Sequence, residues 1–155
     1  MMSSDGTLHY REEDFVVDGA LRDVLVFDVD TADWESALRA LRRTGWQTHF
    51  AWTLAEVDPL EVVPEADEIF HRLSTDADES AALSVSVDDV TFSCYFFDAD
   101  QIEFTFDPSD VTDAARFSGV EKFVRLLGDA TGKQVIVTME STDHSGLPAL
   151  LSYQP

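Results

Sequence analysis

Cysteine is nearly missing from this chain: Cys94 is the single one in 155 residues. An internal disulfide is therefore excluded, and so is a zinc site built from the cysteines of one chain. Lysine is almost as scarce. Lys122 and Lys133 stand beside eight arginines, against 20 Asp and 11 Glu. A chain with a formal net charge of −21 repels phosphate, because binding a polyphosphate surface needs Lys and Arg to displace its counterions. The expected partners therefore include neither nucleic acid nor anionic membrane. The seven glycines are scattered and form no phosphate-cradling loop. No apolar run approaches the roughly 18 to 20 residues that a membrane span needs. The opening stretch "MMSSDGTLHYREEDF" has no basic region leading into an apolar one, so no signal peptide is expected and the expected location is cytoplasmic. No motif asks for a cofactor.

What the chain does have is apolar and aromatic content. It is 45% hydrophobic, with 11 Phe, 3 Trp and 3 Tyr, which is enough to fold despite the charge. The length suits one domain with one core. We expect a polar N-terminal segment over residues 1–20 and a single α+β domain over 21–155. The acidity has two physical readings. It steers a basic partner onto the surface, or it adapts the protein to its solvent. The bias to Asp over Glu suits high salt, and a GC-rich genome would produce it through codon usage alone.

Residues 22–29, "RDVLVFDV", are short and rich in Val, Leu and Phe, the pattern of a strand buried on both faces. Trp34, Ala37, Leu38 and Leu41 then recur at helical spacing. Asp30 or Thr31 can cap that helix, and Gly45 suits its left-handed end. In "WQTHFAWTL" the residues Trp46, Thr48, Phe50, Trp52 and Leu54 alternate with polar or small ones, as in a half-buried strand. Ala66, Ile69, Phe70 and Leu73 mark a short helix, with Pro64 near its first position.

The middle of the chain predicts a three-stranded antiparallel meander over about residues 81–106. A two-residue turn at Asp88 and Asp89 pairs Val87 with Val90, Val85 with Phe92 and Leu83 with Cys94, which puts every apolar residue on one face. A three-residue loop, Asp98 to Asp100, would continue the register through Phe96–Ile102, Cys94–Phe104 and Phe92–Phe106. Next comes a helix whose buried stripe is Phe117, Val120, Val124, Leu127 and Thr131. Ser118 and Glu121 have the spacing of a capping box, and Gly132 ends the helix. "KQVIVTME" and "PALLSYQP" add two strands. The order β-α-β-α-β-β-β-α-β-β predicts an α+β fold, a largely antiparallel sheet with about three helices mostly on one face.

The stretch "VLVFDVDTADW" carries the sharpest chemical pattern. A buried strand running into Asp-x-Asp resembles the first motif of the haloacid-dehalogenase-type phosphatases. That resemblance implies Asp28 as nucleophile, Asp30 as general acid/base, and a magnesium ion bridging carboxylate and phosphate. Thr31-Ala32 stands where the family has Gly-Thr, and the adjacent pair Asp88-Asp89 precedes both lysines. A strand end followed by a helix cap explains the same residues. Asp98 and Asp100, with Glu103 just beyond, offer clustered carboxylates, but the 12-residue calcium loop is absent. Asp143, His144 and Ser145 are sequence neighbours, whereas a catalytic triad converges from distant segments. His9, His49, His71 and His144 show no metal-ligand spacing. Cys94 is expected in the core, though a Cys94–His49 pair would be a nucleophile and a base.

The reading that follows is a non-enzymatic acidic protein that docks a basic protein partner, with Asp88, Asp89, Asp98 and Asp100 as contacts. In composition it resembles small immunity proteins that neutralise toxins. Two alternatives stand beside it. One is an acidic protein of halophile or GC-rich type whose function is unrelated to its charge. The other is a small metal-dependent enzyme using Asp28 and Asp30.

Overall fold

The computed structural model describes residues 8–54, 60–140 and 149–155. Ten main elements follow one another: β1 (Arg22–Phe27), α1 (Thr31–Thr44), β2 (Gln47–Trp52), α2 (Ala66–Thr75), β3 (Ala81–Val87), β4 (Val90–Cys94), β5 (Gln101–Phe106), α3 (Ala114–Thr131), β6 (Val135–Met139) and β7 (Leu151–Tyr153). Short 3-10 turns occupy Glu12–Phe15 and Pro108–Asp110. The seven strands form one antiparallel sheet in the order β2-β3-β4-β5-β1-β6-β7. This is the α+β domain the element order predicts. No helix among the described residues is long and apolar enough to cross a membrane.

The first strand sits inside the sheet, between β5 and β6. That place explains its composition, since Val24 and Val26 enter the main core while Leu25 and Asp23 are buried on the opposite face. The helices cover the face carrying Val24. Phe123 of α3 stacks on Phe92 at 4.0 Å between ring centroids and meets Phe104 edge-on at 4.9 Å. Pairs of this kind contribute about 0.5–1.5 kcal/mol beyond the area they bury.

The first hairpin has the expected register, Val87 opposite Val90, Val85 opposite Phe92 and Leu83 opposite Cys94. Asp88 and Asp89 both have positive φ, 49° and 66°, as a two-residue hairpin turn demands. The second connection differs from expectation. The Ser93–Thr105 pairing keeps the expected register, but β4 stops at Cys94 and the link to β5 runs from Tyr95 to Asp100. Phe96 takes φ 56° and turns into the core instead of extending the strand.

The start of α3 also needs correction. Asp113, in extended backbone, accepts a bond from the Arg116 amide and caps the helix, so Ser118 lies one turn inside it rather than in a capping box. The buried stripe is wider than expected, because it includes Phe123, Gly119 and Gly128. A Cβ on Gly119 would lie 2.3 Å from the Val87 carbonyl oxygen, and one on Gly128 would lie 2.6 Å from the Tyr153 ring. Both glycines let the helix approach the sheet. Glu65 holds the N-cap position of α2 without a side-chain bond, the Glu35 carboxylate accepts from the Ala66 amide instead, and Pro64 lies just before that cap.

Residues 8–21 are held to the domain by Arg22. Its guanidinium is 1% exposed and donates to the carbonyls of Asp14, Val16, Ala20 and Leu21, and to the Asp18 carboxylate. A buried guanidinium needs such acceptors for its five N–H groups. Leu8 and Phe15 join the core, and Tyr10 and Phe15 pack on Phe117. Asp14 is buried beside this clasp, and its Oδ2 has no hydrogen-bond partner among the described residues.

Two predictions follow from the packing. Gly119→Ala gains about 1 kcal/mol of helix propensity but drives a methyl into a backbone carbonyl, which costs more than that. The expected result is a lower urea midpoint, with a net loss of about 1–2 kcal/mol. The second concerns Asp14, whose carboxyl burial holds above its ordinary pKa. The folded state then binds its proton more tightly than the unfolded chain, so stability falls as pH rises from the unfolded value through the raised folded one. Asp14→Asn is expected to stabilise the protein at neutral pH, with the gain shrinking on acidification in denaturation curves taken across pH.

Candidate functional site

Successive loops of a meander lie at opposite ends of its strands, so the four aspartates named as contacts stand at two ends of the sheet. Asp88 and Asp89 cap the β3–β4 end. Asp98 and Asp100 lie at the other end, where Phe27 of β1 pairs with Gln101 of β5. Asp28 and Asp30 follow Phe27 directly and therefore share the second end. The Val29 amide donates to the Asp100 carbonyl at 3.1 Å, which ties the two loops together. The Trp34 indole donates to the Ala99 carbonyl at 2.8 Å from inside α1.

Within "VLVFDVDTADW" each aspartate has a local role. Asp30 is the N-cap of α1. Its carboxylate accepts from the Asp33 amide at 2.9 Å, and the Asp33 carboxylate accepts from the Asp30 amide at 3.1 Å. Asp28 has φ 57°, a left-handed position that aspartate tolerates better than most residues. Its carbonyl accepts from Lys133 Nζ at 2.7 Å, and the same ammonium lies 3.6 Å from Asp33 Oδ2. Among the described residues, no three carboxylates, imidazoles or thiols are placed to hold one metal ion.

The β4–β5 loop adds a feature that the sequence reading did not single out. Phe96 inserts between Trp34, Phe50 and Phe70, with ring centroids 5.3 to 6.0 Å away, and is 5% exposed. A left-handed aromatic residue costs about 1–3 kcal/mol of backbone strain, which this burial offsets. Its neighbours are turned out. Tyr95 is 49% exposed and Phe97 is 78% exposed, and the two rings stack on each other at 5.8 Å. The signal was there in "CYFFDAD": three consecutive aromatics cannot all face inward from one strand. A small pocket lies at this loop, with Tyr95, Phe96, Phe97, Asp98, Gln101 and Glu103 among its lining residues.

At the opposite end, Asp88 is engaged within the molecule. Its Oδ2 accepts from Ser118 Oγ at 2.6 Å and from Lys122 Nζ at 2.9 Å. Those bonds hold its carboxyl below the usual range. Asp89 is exposed beside it. The remaining candidates separate. Cys94 is buried in the core, where desolvation pushes its thiol up to about 12, the setting of a structural rather than a reactive cysteine. His49 alternates with core-facing Phe50 and points to the other face of the sheet, so a Cys94–His49 pair does not form. Asp143, His144 and Ser145 lie outside the described residues. Compared with protein-family models, curated proteins and solved structures, the chain matches none.

The local role of Asp30 is testable. Asp30→Ala removes one half of the capping box and is expected to cost about 1 kcal/mol. The loss should be the same with and without magnesium at matched ionic strength in thermal unfolding. A loss that appears only with magnesium would return the pair Asp28 and Asp30 to metal chemistry.

Proposed function

We propose that the protein is a non-enzymatic binding protein that docks a basic protein partner, an inhibitor of the immunity type, through the end of the sheet carrying Asp28, Asp98 and Asp100. One observation carries this reading. A stacked, solvent-exposed Tyr95–Phe97 pair stands directly beside exposed carboxylates, on a loop anchored from beneath by Phe96 and Trp34. Aromatic side chains held rigid at the surface supply most of the energy of protein interfaces, and surrounding charge sets orientation and rate of encounter. The net charge of −21 favours a cationic partner. Asp88 and Asp89, at the far end, would contribute to the long-range field rather than to the contact.

The test begins with the full chain immobilised in low salt and exposed to extract of its source cells. Captured proteins are identified, purified and titrated by calorimetry. A partner of basic isoelectric point is expected, with affinity reduced about 30-fold by Phe97→Ala. Asp98→Asn with Asp100→Asn should slow association and flatten its salt dependence more than Asp88→Asn with Asp89→Asn. Binding that ignores Phe97 and both pairs of aspartates would overturn the proposal. So would a chain that is unfolded in dilute buffer and folds only in molar KCl, because its acidity would then serve solvation.

A further inference from the structure

The clasp around Arg22 encloses a carboxyl group in surroundings that do not suit its charged form. Asp14 is 5% exposed, and its Oδ2 has no hydrogen-bond donor among the described residues. A carboxylate that loses water without gaining donors is disfavoured against the neutral acid. Two cations stand near without bonding that oxygen. Arg11 Nε lies 3.9 Å from it, beyond hydrogen-bond range, and donates instead to Glu13 Oε1 at 2.8 Å. Arg22 Nε donates at 2.9 Å to the Asp14 carbonyl, not to its carboxylate. Burial outweighs both arginines, and Glu13 adds repulsion, so the carboxyl is held above its ordinary range. The other charged groups around this turn are engaged elsewhere or exposed. The turn Pro108–Asp110 packs against Glu12–Phe15, and there Asp107 accepts from the Ser109 amide and Asp110 from the Thr91 amide. On α3, Arg116 donates to the Asp110 carbonyl and Asp113 caps the helix. Asp18 pairs with Arg22, Glu140 accepts from the Leu21 amide, and Asp23 lies on the opposite face of the sheet. His9 and Glu12 are exposed.

The segment carrying Asp14 is lightly attached. Residues 8–21 belong to no strand of the sheet and contain one 3-10 turn. Val16 and Val17 face outward, 54% and 68% exposed. Phe15 rests on Phe106 and Phe117, and Tyr10 on Phe117. We infer that residues 8–21 form a pH-operated strap, closed over Phe106 and Phe117 while Asp14 is protonated and loosened when Asp14 ionises. An ionised Asp14 gains water only if the turn lifts, and lifting the turn uncovers those two rings while the seven strands stay paired. Closure is strongest at low pH, and it weakens as pH rises from the unfolded value through the raised folded one. Opening of this kind is local and needs less free energy than unfolding the sheet. The strap lies at the end of β1 away from Asp28, so it is independent of the docking surface.

The experiment is amide hydrogen exchange on the full chain, followed by NMR, with wild type and Asp14→Asn compared at the same pH so that intrinsic exchange rates cancel. At about pH 7 the amides of Asp14, Ala20 and Leu21 are expected to exchange about three- to tenfold faster in wild type than in the variant. The ratio should narrow toward about pH 5, still above the isoelectric point near 4.1. These strap amides should be less protected than those of Val24 and Val26 in β1. They should also respond less to low concentrations of urea, because a local opening exposes little surface. Arg11→Gln changes an exposed side chain and removes one of the two cations. It should speed strap exchange further at about pH 7 and leave it unchanged in the Asp14→Asn background. Equal exchange in wild type and Asp14→Asn at neutral pH would overturn the strap. So would strap amides that follow Val24 and Val26 in protection and urea dependence, because opening would then be global unfolding.

Discussion

Phe123 lies flat on Phe92, with their planes 9° from parallel, and the rest of the molecule is organised by that contact. It commits one face of the sheet to a helical layer and fixes α3 over β3, β4, β1, β6 and β7. The apolar alternation of the meander serves the same face, since Leu83, Val85, Val87, Val90, Phe92, Ile102, Phe104 and Phe106 are all buried. Once the helices occupy that side, polar and exposed features are left to the other face and to the strand ends. The candidate surface is therefore a sheet end, where loops from β1 and β5 meet.

Much of this architecture was legible in the residues. Period-two alternation located β3, β4 and β5 and their register, because a shift by one would have turned Val85 and Phe92 to solvent. The capping pattern at Asp30 was legible for the same local reason. What was not legible depended on contacts distant in sequence. Ser118 and Glu121 imitate a capping box, but Ser118 is bonded to Asp88 thirty residues earlier. The three-residue loop failed because Phe96 finds Trp34, Phe50 and Phe70, and no local rule announces a left-handed phenylalanine. Division of the aspartates into two ends followed from the meander itself. The joining of Asp28 to Asp98 and Asp100 followed from where β1 inserts, which pattern alone does not determine.

The scarce cations explain how the surface remains so negative. Arg22 directs its bonds mainly to main-chain carbonyls. Arg42 bonds the carbonyls of Val63 and Pro64 while pairing with Glu35, whose other oxygen accepts from the first amide of α2. Lys133 bonds the carbonyl of Asp28. Positive side chains are used here to fasten irregular backbone, where each satisfies acceptors that no strand or helix provides. These same cations also pair with acids, Arg22 with Asp18, Arg42 with Glu35 and Lys133 with Asp33, and most of the acidic charge stays uncompensated because 31 Asp and Glu stand against 10 Lys and Arg.

The two outer strands bear on a different property. Beside β2, the chain returns at Leu60, which exchanges both backbone bonds with Phe50, and β7 is only three residues long. Strand edges are the places where one sheet can template another, and here one is partly occupied and the other is short. The isoelectric point near 4.1 is where mutual repulsion between copies vanishes. Among the described residues, the edge backbone open to a second copy at that acidity is the part of β2 that Leu60 leaves uncovered and the three residues of β7.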